Sequence, residues 1–319
     1  MLREVRIEVN KRCNLACAHC YTDKKGSLAP ISTMEDAIAQ AKSMGATDLS
    51  LTGGEPLLDP ERTLALVRAG KANGMRVRLN TNGWFADRPM QDRLHQSGLT
   101  ELQVSMSHAD PEAFDRFVRR KGAFEHALSA ITTSSNLRMQ VTVRCTLMNS
   151  NVDQLQPLYE LTATAGATSF KIRALVEVNG VADLEPEVNE ARRLLAIEAL
   201  KKSADSRRVP ISFADEGEFE LGSHPYVERL ECKCGELAVF ITAEGVVTPC
   251  PFLREDSRYW CGDINRQPIG EIMHSDTYRH FVGNRTSGSC GNDAACACKA
   301  NRVSEPSHAA STSRHIKLQ

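Results

Sequence analysis

From residue 3 to about residue 205 the chain repeats one unit: a short stretch with period two, a turn, then a longer stretch with apolar positions three and four apart. The alternating stretches predict strands over Glu4–Asn10, Thr47–Thr52, Met75–Asn80, Glu101–Ser107, Met139–Thr146 and Ser169–Leu175. Between them the spacing predicts helices over Met34–Met44, Pro60–Asn73, Pro89–Ser97, Pro111–Ser134 and Val152–Ala165, several followed by Gly, with a further helix over Glu187–Lys202. Each strand has one apolar phase and one polar phase: Val5, Ile7 and Val9 against Arg6, Glu8 and Asn10, or Val141, Val143 and Cys145 against Thr142, Arg144 and Thr146. A closed eight-stranded barrel filled with Val, Ile and Leu does not read this way. A parallel sheet with helices on one face and a wet lumen on the other does. The expected fold is therefore α/β, an open (β/α)6 partial TIM barrel over 1–205. A small Cys-rich C-terminal domain over 206–300 follows, with a flexible tail over 301–319.

The charge balance of 39 Lys and Arg against 40 Asp and Glu in 319 residues offers no global attraction to nucleic acid or an anionic membrane. No apolar run approaches the ~20 residues of a membrane span. Met1-Leu2-Arg3-Glu4 leads straight into a strand without a signal peptide's apolar run. A cytoplasmic protein without nucleic-acid or membrane partners is expected. In a reducing cytoplasm, eleven cysteines point to metal or redox chemistry rather than disulfides.

Cys13, Cys17 and Cys20 follow the first strand, where α/β sheets place ligand sites. Three thiolates on one loop can hold three irons of a cubane and leave the fourth open to a small chelating ligand. A zinc site with His19 as fourth ligand fits the same residue types. After the second strand comes Gly53-Gly54-Glu55-Pro56. Its glycines allow close backbone approach to a ligand, and strand-end carbonyls with Glu55 can hold an ammonium group.

Together with Thr81-Asn82-Gly83, Val104-Ser105-Met106-Ser107 and the segment from Asp110 to Phe124, these motifs resemble the radical S-adenosylmethionine (SAM) superfamily over residues 3 to about 175. The resemblance implies that SAM chelates the open iron of a 4Fe-4S cluster through its amino and carboxylate groups. Gly53, Gly54 and Glu55 would meet the methionine end, and Asn80 and Ser105 would lie near the ribose. A flavodoxin or ferredoxin-type donor would supply the electron. Two positions depart from the pattern: His19, where an aromatic is usual, and Ser107-His108, where many relatives carry Asp-Gly.

Seven further cysteines fall between Cys232 and Cys298. Cys234, Gly245 and Cys250 frame a predicted hairpin over Leu237–Pro249, and a short helix is predicted over Ile269–Phe281. This resembles the opening of SPASM and twitch domains, which implies a second, auxiliary 4Fe-4S cluster on Cys234, Cys250, Cys296 and Cys298, with Cys232 and Cys290 as substitutes. A structural zinc site uses the same residues. Cys145 shares the phase of Val141 and is expected to pack against helices.

The lumen phase offers Glu8, Gln103, Ser107, Gln140, Arg144, Lys171 and Arg173, groups suited to a polar small molecule. With the barrel starting near residue 1, the expectation is an oxidoreductase or epimerase acting on a sugar or aminoglycoside-type intermediate of natural-product biosynthesis, with Cys261 as hydrogen donor in an epimerisation. The rivals are a peptide-modifying maturase and, from a different class, a non-catalytic zinc or electron-transfer module.

Overall fold

The computed structural model describes residues 2–175, 188–214, 223–229 and 234–286. Its centre is a parallel run of strands taken in sequence order: β1 (Glu4–Glu8), β2 (Asp48–Thr52), β3 (Arg76–Thr81), β4 (Glu101–Ser105), β5 (Gln140–Leu147) and β6 (Ser169–Ala174). Around them lie α1 (Ile31–Ser43), α2 (Pro60–Ala72), α3 (Arg88–Ser97), α4 (Pro111–Val118), α5 (Ala123–Asn136) and α6 (Leu155–Thr164). The apolar strand phase does face these helices. Val5, Ile7, Leu49, Leu51, Val77, Leu79, Val141 and Val143 are fully buried, and Cys145 is buried with them. Each such side chain contributes roughly 1.5–3 kcal/mol by leaving water.

Local chemistry sets the helix starts. Asp59, Asp87 and Asp110 accept the N–H of Arg62, Met90 and Ala113 at 3.2, 3.0 and 2.7 Å, with Pro60, Pro89 and Pro111 in the first turns. These are N-caps followed by prolines whose missing N–H is not needed there. Gly98 closes α3 at φ 103°, a left-handed conformation that favours glycine.

Three differences from the sequence expectation have physical causes. The helix expected over Pro111–Ser134 breaks, because Arg119 turns left-handed at φ 56° and Asp115 accepts the N–H of Gly122 at 2.6 Å and of Phe124 at 2.9 Å, capping a new helix. The sheet does not stop at six strands. Helix α7 (Glu190–Arg207) leads into β7 (Ile211–Phe213), which pairs with β6, and β8 (Val227–Arg229) pairs with β7, both parallel. On the other edge β9 (Ala238–Ile241), buried throughout, pairs in parallel with β1 and turns into β10 (Val246–Thr248) and β11 (Gly262–Asp263). The C-terminal hairpin is thus sewn into the barrel's own sheet. The short helix expected over Ile269–Phe281 forms as two, α8 (Ile269–Ile272) and α9 (Asp276–Thr286).

The sheet is curled around its polar face. Lys171 on β6 feels the charges of Arg6 and Glu4 on β1. Strands spaced about 4.8 Å apart and laid flat would put those residues roughly 24 Å away. Among the described residues no helix is long and apolar enough to cross a membrane.

Removing the Asp115 carboxylate strands two N–H groups at the α4–α5 corner. Asp115→Ala is expected to cost about 1–3 kcal/mol, read as a lower urea midpoint at unchanged slope; a midpoint equal to that of the parent protein would show that the corner holds by other means.

Candidate active site at the strand exits

The loop carrying Cys13, Cys17 and Cys20 leaves β1 and is fastened by its backbone. The N–H groups of Ala16 and Ala18 donate to the carbonyls of Val118 and Phe117, both at 3.1 Å. Arg120 donates to the Asn14 carbonyl at 2.9 Å while its guanidinium lies 3.9 Å over the Trp84 ring, and the Lys24 ammonium reaches the Leu15 carbonyl. The break between α4 and α5, invisible in the periodicity, is what presents Arg120 to this loop. His19 stacks flat on Phe117, centroids 5.0 Å apart and planes 6° apart. Burial, with His108 nearby, pushes His19 down to about 4, so its ring is neutral.

The three thiols are half-buried. Burial raises Cys13 and pushes Cys17 up to about 12, so without metal both are protonated at neutral pH. Cys13 Sγ accepts the Leu15 N–H at 3.4 Å, and Asn82 Nδ2 stands 3.8 Å from it while donating to Asn14 Oδ1 at 2.9 Å. Among the described residues no three His, Cys, Asp or Glu side chains converge closely enough to share one ion. With His19 stacked on Phe117, the donor set offered by this loop is three thiols, the number that leaves one iron of a cubane without a protein thiolate.

The Gly53–Glu55 turn lies directly against this loop. The N–H of Gly54 donates to the Asn10 carbonyl at 2.8 Å and that of Glu55 to the Arg12 carbonyl at 2.7 Å. A Cβ on Gly53, at φ 154°, would sit 2.3 Å from the Asn10 carbonyl oxygen, and one on Gly54 would sit 2.2 Å from that of Arg12. The close approach for which these glycines are needed is therefore to the β1 exit, where a ligand was expected. Within the described chain the Gly53 and Gly54 carbonyls accept no backbone hydrogen bond.

Glu55 is fully buried. Its carboxylate accepts the Leu57 N–H at 3.0 Å, the Thr81 hydroxyl at 2.8 Å and the Asn82 N–H at 2.7 Å, tying the exits of β2 and β3 together. Burial pushes the carboxyl up to about 7 against these donors. Asn80 is likewise committed: it donates to Ser50 Oγ at 3.2 Å and to the Leu51 carbonyl at 2.9 Å, and accepts from Arg144. Ser105, by contrast, is exposed, with no side-chain hydrogen bond in the described chain.

Below the exits the polar phase lines the lumen. Glu4 pairs with Arg6 at 3.0 Å and Arg78 at 3.1 Å; against the effect of burial, these cations hold its carboxyl at about 2. Gln103 and Thr142 donate to Glu101 at 2.6 and 2.7 Å. Other expected lumen groups are placed differently. Glu8 is fully buried in an ion pair with Arg254 at 3.0 Å, Ser107 Oγ accepts the Thr146 N–H at 3.4 Å, and Gln140 is exposed at the start of β5.

Three lumen residues escaped the sequence reading. Tyr21 and Phe252 lie 5.1 Å apart, and the Arg254 guanidinium lies 4.8 Å over Tyr21. The signals were thin: Tyr21 follows the last cysteine of the triad, and Phe252 and Arg254 follow Cys250.

Cys234 and Cys250 are buried together in an apolar cluster with Leu253 and Phe281. Arg6 Nη1 lies 3.4 Å from Cys234 Sγ, so a lumen cation donates toward a thiol of the C-terminal set. Cys232, Cys290, Cys296, Cys298 and the tail lie outside the described residues. Two buried thiols with a guanidinium donor fit one edge of a cluster, whose potential such a hydrogen bond would raise. Cys261 is enclosed in the main core, its thiol 3.4 Å from the Tyr259 carbonyl, and burial pushes it up to about 12.

The family model of the radical SAM superfamily matches residues 7–162, and that of the SPASM iron-sulfur cluster-binding domain matches residues 232–299. The chain is 29% identical to the AdoMet-dependent heme synthase of Methanosarcina barkeri, covering 91% of this chain and 87% of that one. It is 28% identical to the mycofactocin maturase MftC of Mycolicibacterium smegmatis, covering 91% and 75%. In fold it is similar to Streptococcus suis SuiB bound to S-adenosylmethionine, with TM-score 0.73 at 16% identity over 88% of this chain and 67% of that one; SuiB is also solved bound to its precursor peptide SuiA.

A methyl group at Gly54 must displace the Arg12 backbone. Gly54→Ala is expected to destabilise by about 1–3 kcal/mol and to lower iron bound at the triad. Gly270→Ala, whose Cβ meets nothing within 4 Å, should leave both unchanged. Equal melting temperatures and iron contents for the two variants would refute the packing argument.

Proposed function

Because this chain belongs to the radical SAM superfamily and carries a SPASM iron-sulfur domain, we propose that it generates a radical at the strand exits and abstracts hydrogen from a peptide held over the lumen. The cofactors of these domains are a SAM-binding 4Fe-4S cluster, SAM and auxiliary iron-sulfur. When bound and reduced, the SAM-binding cluster would supply the one electron that cleaves SAM to methionine and a 5′-deoxyadenosyl radical, and this radical would take a hydrogen atom from the substrate to give 5′-deoxyadenosine. The single observation that carries the reading is the three-thiol loop clamped against the Gly53–Glu55 turn at the mouth of a polar lumen.

The chain's own residues act by holding and shielding. Cys13, Cys17 and Cys20 bind three irons, and the Leu15 N–H and Asn82 amide direct hydrogens at Cys13 Sγ. The Gly53 and Gly54 carbonyls, without backbone donors of their own, take the ammonium of SAM. Glu55 fixes that turn through its three hydrogen bonds, and Ser105 is the hydroxyl open to the nucleoside. Tyr21 and Phe252 screen the lumen from water. The exposed cations Arg12, Lys24, Lys25, Arg119 and Lys121 around the loop suit an acidic electron carrier of the flavodoxin or ferredoxin type.

A peptide substrate is favoured over the sugar or aminoglycoside-type molecule by the maturase among the relatives and by the fold shared with SuiB, solved with a precursor peptide. The AdoMet-dependent heme synthase among the relatives keeps a non-peptide substrate, a tetrapyrrole rather than a sugar, as the second reading. The enclosure of Cys261 in the core disfavours it as the hydrogen donor of an epimerisation.

Dithionite-reduced, anaerobically reconstituted protein should form 5′-deoxyadenosine from SAM. The Cys13, Cys17 and Cys20 triple Ala variant should form none and hold about four irons fewer; unchanged product in that variant would refute the assignment. With deuterated candidate peptides and deuterated sugars offered in parallel, label should enter 5′-deoxyadenosine from a peptide. Label from the sugars alone would reverse the substrate preference.

A further inference from the structure

Among the described residues three lumen cations pair with no carboxylate. Arg144 on β5 stands beside Lys171 on β6 in the strand register, and Arg173 lies two residues further along the same face. Arg6, Arg78 and Arg254, by contrast, pair with Glu4 or Glu8. Among the described residues the Arg144 side chain bonds only to Asn80, the Lys171 ammonium makes no hydrogen bond or ion pair, and the buried Nε of Arg173 has no acceptor, its guanidinium lying 5.0 Å from the Phe252 ring.

We propose that Arg144, Lys171 and Arg173 form an anion subsite in the lumen that binds a carboxylate of the substrate. The subsite rests on the lumen being the substrate chamber of the function proposed above. Three half-buried cations brought together repel one another and lose part of their hydration. Burial first, then the neighbouring guanidiniums, push Lys171 down to about 7, and burial with Arg173 pushes Arg144 down to about 10. An entering carboxylate restores the lost solvation, and the planar guanidiniums can take it with paired N–H donors. Glu4 across the lumen is already paired with Arg6 and Arg78, and Glu101, though its charge reaches Arg144, forms no ion pair with it, so among the described residues the net positive charge stays on the β5–β6 wall. The same carboxylate chemistry is offered by an acidic residue of a peptide and by a free dicarboxylic acid.

The test uses anaerobically reconstituted holoenzyme with SAM bound, titrated with glutarate and with the blocked tripeptide Gly-Glu-Gly, against glutaramide and blocked Gly-Gln-Gly. Both acids should bind and the amides should not. Tighter binding of the tripeptide identifies a peptide carboxylate as the natural ligand, and tighter binding of glutarate a small-molecule one; either supports the subsite. Lys171→Met and Arg173→Met should each weaken acid binding at least tenfold, and Lys171→Arg should retain it. Without ligand, Lys171→Met should melt at a higher temperature than the parent, because an unpaired, partly desolvated cation is gone; a merely structural lysine would shift melting downward. Amides binding as well as acids, Met variants binding acids at parental affinity, or a lower melting temperature would overturn the subsite. So would a tenfold loss of SAM affinity in the Met variants, since these cations would then serve SAM's own carboxylate. Retained acid binding in a parent protein that forms no 5′-deoxyadenosine would overturn the radical reading and leave the subsite standing.

Discussion

The site depends on how closely two stretches of backbone can stack where β1 and β2 leave the sheet. Gly53 and Gly54 lie so near the Asn10 and Arg12 carbonyls that any Cβ would collide, and the two N–H bonds across this seam hold the cysteine loop against the turn. Glu55 extends the seam to β3 by placing a buried carboxylate under donors from Leu57, Thr81 and Asn82. A buried carboxylate without such donors would be costly, so the three strand exits are fixed together or not at all. The thiol loop inherits its position from that seam on one side and from α4 on the other.

The lumen and the C-terminal segment are joined by the same logic of shared edges. Because β9 pairs with β1, the hairpin brings Cys234 and Cys250 to the side of the barrel where Arg6 projects, and Arg254 inward to Glu8. The buried Glu8–Arg254 pair would be expensive to break, since either partner alone would be an uncompensated charge. Tyr21, directly after the cysteine triad, meets Phe252 and Arg254 from the other end of the chain. The cysteine loop, the polar lumen and the apolar cluster around Cys234 and Cys250 therefore meet along a common wall.

Much of this was legible in the sequence, and the failures have a common cause. Period-two alternation told which strand face meets helices, and Asp-Pro pairs marked helix starts, because both are local signals. The break at Arg119 was not legible, since the helical period continues through it and only the Asp115 carboxylate creates the second cap. The pairings of β7 with β6 and of β9 with β1 are long-range and leave no periodic trace. At the site, sequence showed which residues gather but not what their polar groups already bind. Asn80 is spent on Ser50, Leu51 and Arg144, and Glu55 on the chain itself. Residue type could not distinguish a lumen Glu from one sealed against an arginine, as Glu8 is.

The central claim is that SAM binds directly to iron held by Cys13, Cys17 and Cys20. Electron-nuclear double resonance on the reduced protein with SAM labelled by 15N at the amino group and 17O at the carboxylate tests this most directly. The account predicts hyperfine coupling of both labels to the cluster, lost in the triple Ala variant. Bound SAM without coupling from either label would contradict it.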